Sequence, residues 1–260
     1  MGAKHSKKSH EQLAPQDELN KLKMQLYTAK MRNSKIILSV DYSDSNVAQG
    51  GRTFNCQNLH KIDPTIPVSN PYQRVIDAIG TSIEDLDVNR NIPFYGFGDS
   101  STRDKTTFSF LPSEQPTNGI AHCLQLYSQV TQSIVLSNPL SYSPIIIKAI
   151  GIVKATNQHH ILFIITPGII TDLTRTNNAI VEASKVSLSI VFVAIGDGPF
   201  DQLETLKSHS LKGQKFKNVE VVNFEDVIKL PPEQQDPTFG ILVLKSIKTQ
   251  FNYMKKHKLV

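Results

Sequence analysis

Three side chains with ligating oxygens, Asp41, Ser43 and Ser45, occur in alternation directly after an apolar run at residues 36–40. The run is typical of a buried strand, so the three side chains are predicted to lie on the loop at its carboxyl end. Open α/β sheets bind ligands at that edge. One carboxylate and two hydroxyls are hard oxygen ligands that suit Mg²⁺. An ordinary turn after a strand explains the same residues equally well.

The apolar periodicity along the chain predicts strands that alternate with helices, as in an α/β fold. Strands are predicted at residues 36–40, 94–97, 161–165, 188–195 and 219–224, with an edge ribbon at 106–110. Helices are predicted at residues 17–32, 71–85, 120–133, 144–156, 178–186, 200–208 and 239–256.

Six short sequence segments occur along the chain in a recognisable order. They are Asp41-Tyr-Ser-Asp-Ser-Asn46, Leu59-His60, Asn70-Pro-Tyr-Gln73, Ile92-Pro-Phe-Tyr-Gly-Phe-Gly-Asp99, Ser143-Pro-Ile-Ile146 and Ile195-Gly-Asp-Gly-Pro-Phe200. Together they resemble the copine-type von Willebrand factor A domain. The resemblance implies a doubly wound, mostly parallel sheet with helices on both faces over residues 35–258, used for binding proteins.

The resemblance also implies a metal-ion-dependent adhesion site whose first loop holds Asp41, Ser43 and Ser45. Where the family has a Thr in the second loop this chain has Leu140, and where the family has an Asp in the third loop it has Pro167. Leu140 lacks an oxygen and Pro167 lacks a carboxylate. We therefore expect a degenerate site with weak Mg²⁺ binding at most. The loops at the same edge are expected to bind intracellular protein partners through Asp44, Asn46, Ser141 and Thr166.

The amino-terminal residues 1–34 are predicted to form a myristoylation signal, a basic tail and a short helix. Gly2 fits the acylation pattern, with Ser6 at the favoured hydroxyl position. One myristoyl chain binds membranes only marginally, and lysines near an anionic leaflet add about 1 kcal/mol each. The lysines concerned are Lys4, Lys7 and Lys8. A free polar tail is the alternative.

The distribution of charge argues against nucleic acid as a partner. Residues 1–35 carry eight Lys or Arg against three Asp or Glu, residues 36–236 carry 15 against 20, and residues 237–260 add five Lys. A nucleic-acid groove needs its positive field on the folded body, which here is acidic. We expect a cytoplasmic protein, peripheral on the cytoplasmic face of membranes. A nuclear pool is compatible with the sequence.

The sequence predicts no catalytic site and no certain cofactor. Neither cysteine, Cys56 or Cys123, lies in a nucleophile motif, and the His159-His160 pair is predicted to lie in a loop. Plant proteins that join this domain to a RING are ubiquitin ligases, and the front of this chain is similar to theirs. A RING needs eight Cys or His ligands, and no cysteine follows Cys123. We therefore expect no ligase activity of its own.

Three functional hypotheses follow. The first is a membrane-tethered adaptor that presents the carboxyl-edge loops to a protein partner. The second is a non-catalytic accessory protein of ubiquitination. The third is a Mg²⁺-dependent binding receptor, against which the loss of oxygens at Leu140 and Pro167 counts.

Overall fold

A six-stranded sheet forms the centre of the computed structural model, which describes residues 13–29, 31–63, 65 and 69–260. The strand order is β4-β3-β1-β6-β7-β8, in which only β4 is antiparallel to its neighbour. A separate antiparallel pair joins β2 and β5. The strands are β1 Lys35–Asp41, β2 Asn91–Ile92, β3 Phe94–Phe97, β4 Phe108–Ser109, β5 Thr117–Asn118, β6 His160–Thr166, β7 Leu188–Ala194 and β8 Val219–Asn223.

Helices cover both faces of the sheet. They are α1 Pro15–Thr28, α2 Ser45–Ala48, α3 Pro71–Ile83, α4 Gly119–Val130, α5 Ser143–Thr156, α6 Leu173–Ala183, α7 Asp201–Ser208, α8 Phe224–Ile228 and α9 Pro232–Lys256. Because both faces are covered, every residue of β6 and β7 is buried. None of the described helices is both long and apolar enough to cross a bilayer.

The sheet divides the apolar core into two halves because successive side chains of a strand point to opposite faces. Leu38 and Val40 pack beneath the face that carries α1, α3, α4 and α9, whereas Ile37 packs on the face that carries α5, α6 and α7. The α/β fold predicted from the sequence is confirmed.

The chain changes direction across the sheet at β1. The following long strand, β3, pairs with one edge of β1, and β6 pairs with the other. Such a switch point opens a crevice at the carboxyl ends of the strands. Asp41 at the end of β1, Asp99 after β3 and Thr166 at the end of β6 are therefore brought to one place.

Two helices begin at least five residues earlier than the sequence predicts. α6 begins at Leu173 because Asp172 caps it, accepting a hydrogen bond from the Arg175 backbone N–H at 2.9 Å. α9 begins at Pro232 and continues through Pro237, a residue type that normally ends a helix. Burial of Pro237 and Phe239 in the core accompanies this exception.

Helix α1 belongs to the folded body. Its leucines Leu19, Leu22 and Leu26 are all buried in the core. The helix packs along α9, where Lys245 forms an ion pair of 2.6 Å with Glu18. A domain boundary after residue 34 therefore does not coincide with the edge of the core.

Candidate functional site

The carboxylate of Asp41 lies at the carboxyl end of β1 and is completely buried. Its Oδ1 accepts the backbone N–H of Ser43 at 2.7 Å, and its Oδ2 accepts the hydroxyl of Thr166 at 2.6 Å. The hydroxyls of Ser43 and Ser45 are 2.7 Å apart. The structure thus brings the three predicted metal ligands together and adds Thr166 from the third loop. Each carboxylate oxygen accepts a hydrogen bond from the protein.

The backbone carbonyl oxygen of Asp41 is held by three further side chains. His60 Nε2 lies 2.9 Å from it, the Tyr72 hydroxyl 2.8 Å and Asn46 Nδ2 3.0 Å. His60 comes from the connection between α2 and α3, Tyr72 from α3 and Asn46 from α2. They fix the position of Asp41 through its main chain, so the first loop is rigidly built.

His60 is buried inside an aromatic stack. Its ring lies 4.5 Å from the ring of Tyr42 and 4.0 Å from that of Tyr72, both nearly parallel to it. A carbonyl oxygen only accepts, so His60 Nε2 carries the proton and Nδ1 accepts from the Tyr127 hydroxyl at 2.9 Å. Burial lowers the pKa of His60 to about 3. The sequence motif Leu59-His60 marked the residue, but not this contact.

Leu140 occupies the second loop, and its side chain is buried beside the first loop. A Cβ placed on Gly98 would lie 2.9 Å from Leu140 Cδ1, 3.2 Å from the Ser43 backbone nitrogen and 3.4 Å from Asp41 Oδ1. Gly98 has a φ of 82°, which favours glycine. An apolar methyl group and the carboxylate thus border the same small space.

In the third loop, Thr166 connects the carboxylate to the core. Its hydroxyl is hydrogen-bonded to the Tyr142 hydroxyl at 2.7 Å and accepts a hydrogen bond from the backbone N–H of Gly168 at 3.0 Å. Pro167, between Thr166 and Gly168, is buried. This loop presents a hydroxyl to Asp41 rather than a second carboxylate.

Burial raises the pKa of Asp41 to about 6, although hydrogen bonds from Thr166 and Ser43 act in the opposite direction. The nearby charge of Asp44 raises it further. The other carboxylate of the crevice, Asp99, is engaged within its own turn. Burial favours its neutral form, but hydrogen bonds from Ser101 and Thr102 outweigh that effect and lower its pKa.

The four residues expected to contact partners differ in accessibility. Asp44 is exposed, and its carboxylate accepts a hydrogen bond from Asn138 Nδ2. The other three are completely buried, so a partner cannot reach them in this conformation: Asn46, Ser141 and Thr166. Ser141 turns away toward Thr176, whose hydroxyl lies 3.4 Å from its own. Of the four residues, only Asp44 is accessible to a partner in this conformation.

Two exposed apolar residues at the same edge were not predicted. Val47 in α2 is 58% exposed and Val135 is 64% exposed. The carbonyl of Val135 accepts the backbone N–H of Ser100 at 2.9 Å, which places it beside the end of β3. We name Asp44, Val47, Ser100 and Val135 the carboxyl-edge face. A single valine in a short helix or in a loop gives no sequence signal for such a role.

The described residues contain no group of three or more His, Cys, Asp or Glu arranged to hold a metal ion. Cys123 is buried, and burial raises the pKa of its thiol to about 12, which keeps it protonated and unreactive. The prediction of a loop holds for His159, which precedes β6, and was wrong for His160. His160 opens β6, and both side chains are buried because they lie between β1, β7 and α9.

The predicted lipidation residue Gly2 and the predicted membrane-contact residues lie outside the described part of the chain. Those contact residues are Lys4, Lys7 and Lys8.

The amino-acid sequence was compared with protein families and with known proteins. The copine family model matches residues 58–260. The chain is 35% identical over 238 residues to the E3 ubiquitin-protein ligase RGLG5 of Arabidopsis thaliana, covering 86% of this chain and 54% of that protein. It is 35% identical over 231 residues to copine family protein 2 of Caenorhabditis elegans, covering 88% of this chain and 3% of that protein. The chain thus spans about half, or far less, of these relatives.

Among solved structures, the manganese-loaded TRAP protein of Plasmodium vivax has a TM-score of 0.50 at 12% sequence identity. The alignment covers 79% of this chain and 74% of that one. At this identity the likeness concerns the fold alone. It confirms the predicted von Willebrand factor A type of sheet, mostly parallel with helices on both faces.

Proposed function

This chain belongs to the copine family, and we propose that it is a non-catalytic protein-binding module whose partner needs no bridging metal ion. One observation carries the proposal. Both oxygens of the Asp41 carboxylate accept hydrogen bonds from the protein, while the apolar side chain of Leu140 lies beside them.

The residues of the crevice do not fit Mg²⁺ well. Mg²⁺ demands near-octahedral oxygen ligands at about 2.0–2.1 Å and gives up its waters reluctantly. Here a single carboxylate, that of Asp41, would have to offset the cost of dehydration. An ion would also have to compete with the hydroxyl of Thr166 and with the methyl groups of Leu140. These features support a degenerate adhesion site, in which the loops contact a protein partner directly and no metal ion bridges the two.

The carboxyl-edge face offers a partner apolar contacts instead of a metal. Val47 and Val135 are both more than half exposed, and the exposed Asp44 adds a charge to the same face. Exposed apolar side chains that lie on a rigid loop favour protein recognition. Rigidity comes from the bonds on the Asp41 carbonyl, so little entropy is lost when a partner binds.

The first test is affinity capture with the tagged chain, with protein partners identified by mass spectrometry. Val47→Asp should remove the partners of the carboxyl-edge face, because it places a charge in an apolar contact. Met24→Asp, at an equally exposed site on α1, should leave them bound. The capture should be the same in EDTA and in millimolar Mg²⁺. Partners that require Mg²⁺, or that ignore Val47→Asp, would contradict the proposal.

A second candidate function is supported by the similarity to a protein named as an E3 ubiquitin-protein ligase. In that case the module would act as an accessory protein of ubiquitination through its partner. The printed 260 residues contain two cysteines, so they do not supply the ligand set of a RING. Recovery of a ubiquitin-conjugating enzyme or a ligase in the capture, lost with Val47→Asp, would favour this candidate.

The proposal includes a membrane tether at the amino terminus, supported by the sequence pattern at Gly2 and by the lysines that follow it. Gly2→Ala should move the protein from the membrane pellet to the supernatant. With a myristoyl binding constant of roughly 10⁴ M⁻¹, millimolar lipid should hold the acylated form by about ten to one. Sedimentation with anionic vesicles measures this, and equal partitioning of the two proteins would remove the tether from the proposal. Thermal unfolding should be the same for both.

A further inference from the structure

A groove of about 590 Å³ runs along the free edge of the sheet, between α7 and α9. Strand β8 is the last in the strand order, and Val219 and Val221 line the groove from it. The wall from α9 is one helical face, formed by Leu242, Lys245, Ser246, Thr249 and Gln250. Leu242 is 45% exposed, an apolar side chain that the fold leaves uncovered. We name this region the β8 edge groove.

The backbone of β8 has hydrogen-bonding groups that point into the groove. Ile190 of β7 donates its N–H to the carbonyl of Asn218 at 2.8 Å, so Asn218 faces β7. Because peptide groups alternate along a strand, those of Val219 and Val221 face away from β7. An exposed strand edge of this kind is a template for pairing with another chain.

A single acidic side chain occupies part of this edge. Glu220 accepts the backbone N–H of Val221 at 3.0 Å and forms an ion pair of 2.6 Å with Lys207. A side chain can swing away, whereas a neighbouring strand cannot. The outward N–H of Val221 is therefore covered by a group that an incoming strand can displace.

A second polar group points to a missing ligand. Gln250 is 4% exposed, and its Oε1 has no hydrogen-bond partner among the described residues. Its Nε2 donates to Ser246 at 3.2 Å. A buried acceptor without a donor destabilises the folded state. A peptide N–H in the groove would supply that donor.

The rim of the groove selects the charge of the occupant. Three lysines line the groove against two glutamates: Lys207, Lys217 and Lys245 against Glu204 and Glu220. Two further lysines, Lys212 and Lys215, lie in the segment that leads into β8, and neither forms an ion pair within the described part of the chain. The chain's own residues 1–12 carry three lysines against one glutamate, and a second copy would bring the same lysines. Both would be repelled, so the complementary occupant is acidic.

We propose that the β8 edge groove binds an extended acidic segment of a partner protein, which adds a strand alongside β8. Main-chain hydrogen bonds to Val219 and Val221 would give affinity, Leu242 would contact an apolar side chain, and the rim lysines would select acidic flanks. This groove lies at the lateral edge of the sheet, so the inference is independent of the carboxyl-edge face.

The test uses a set of fluorescein-labelled nonapeptides. Each has two acidic residues at each end and alternating Val and Thr in the centre, and the apolar positions differ between members of the set. Fluorescence anisotropy should find members with micromolar Kd. Leu242→Asp should weaken them by at least about tenfold through like-charge repulsion. Ile147→Asp, a matched change on α5 at a residue 58% exposed, should leave Kd unchanged. Glu220→Ala should tighten binding several-fold, because it frees the Val221 N–H.

Two controls make the mode of binding visible. Peptides N-methylated at alternate residues should lose binding, and lysine-ended peptides should bind at least about tenfold more weakly than acidic ones. Amide hydrogen exchange should slow at Val219 and Val221 when a peptide binds. The proposal is overturned if no acidic peptide binds better than its lysine-ended match, or if binding ignores Leu242→Asp. It is also overturned if light scattering shows the folded chain pairing with itself through this edge.

Discussion

Acidification from pH 6 to pH 4 should lower the free energy of unfolding, and three buried groups together should contribute about 1.4 kcal/mol per pH unit to that loss. His60 and His159 are both buried, and burial lowers the pKa of each to about 3. When the pKa of a histidine is lower in the folded state, the unfolded state binds the proton first as the pH falls. Its contribution to stability is therefore present above about pH 6.5 and is lost as the pH falls.

Asp41 partly offsets this loss. Burial raises its pKa to about 6, so the folded state binds this proton before the unfolded state does. Its contribution to stability grows as the pH falls from about 6 toward 4. Two histidines lose about 1.4 kcal/mol each per pH unit, and one aspartate returns about the same amount, which leaves a net contribution of about 1.4 from these three groups. Burial also lowers the pKa of His160, which adds to the loss.

Urea unfolding at pH 6, 5 and 4 measures this slope. Asp41→Asn should make the slope steeper by about 1.4 kcal/mol per pH unit, because the offset is removed. His60→Gln should make it shallower by about the same amount, because one titrating histidine is removed. The variants change the slope in opposite directions, whatever they cost in stability at pH 7. A slope that neither variant changes would show that neither residue titrates as its environment indicates.

The double variant Leu140→Thr with Pro167→Asp should become dependent on metal. Without metal, it should be less stable than the natural chain, since a buried Leu is lost and a carboxylate is placed beside Asp41. With the Thr and the Asp restored at these two family positions, Mg²⁺ at about 100 times its Kd should return about 2.7 kcal/mol.

Thermal and urea unfolding in EDTA and in Mg²⁺ measure the gain. Asp41→Ala in the same background should abolish it, because the first-loop carboxylate is then absent. Equal stability of the double variant in EDTA and in Mg²⁺ would mean that the loops no longer have the spacing of an adhesion site. The carboxyl-edge face would then be a protein-binding surface of purely apolar and charged contacts.

The sequence predicted the sheet and most of its helices because apolar periodicity reports burial directly. It missed the start of α9 because Pro237 usually ends a helix, and only the packed environment shows that here it does not. The boundary predicted after residue 34 separates α1 from the sheet, although Leu19, Leu22 and Leu26 form an apolar stripe on α1 that packs in the core. An apolar stripe shows that a helix is covered, but not by what.

The sequence predicted which residues supply the oxygens of the candidate site, but not which of the neighbouring side chains are exposed. Asp41, Ser43 and Ser45 follow a strand end, and a strand end can be located from sequence. Whether Asn46 turns inward depends on the carbonyl of Asp41 and on Tyr72, to which it is bonded. His60 reaches the same carbonyl across 19 residues of chain. Contacts of this kind depend on the complete fold, so no local pattern contains them.

The central claim is that the natural chain binds its partners without a metal at Asp41. Its most direct test is a titration of the wild-type protein with Mg²⁺ and Mn²⁺ up to 10 times a cellular millimolar level, followed by thermal unfolding. Stabilisation by a ligand grows with the ratio of its concentration to its Kd, so a degenerate site predicts no measurable rise in Tm. A clear rise that Asp41→Ala removes would contradict the claim and would show that Ser43, Ser45 and Thr166 suffice to complete the site.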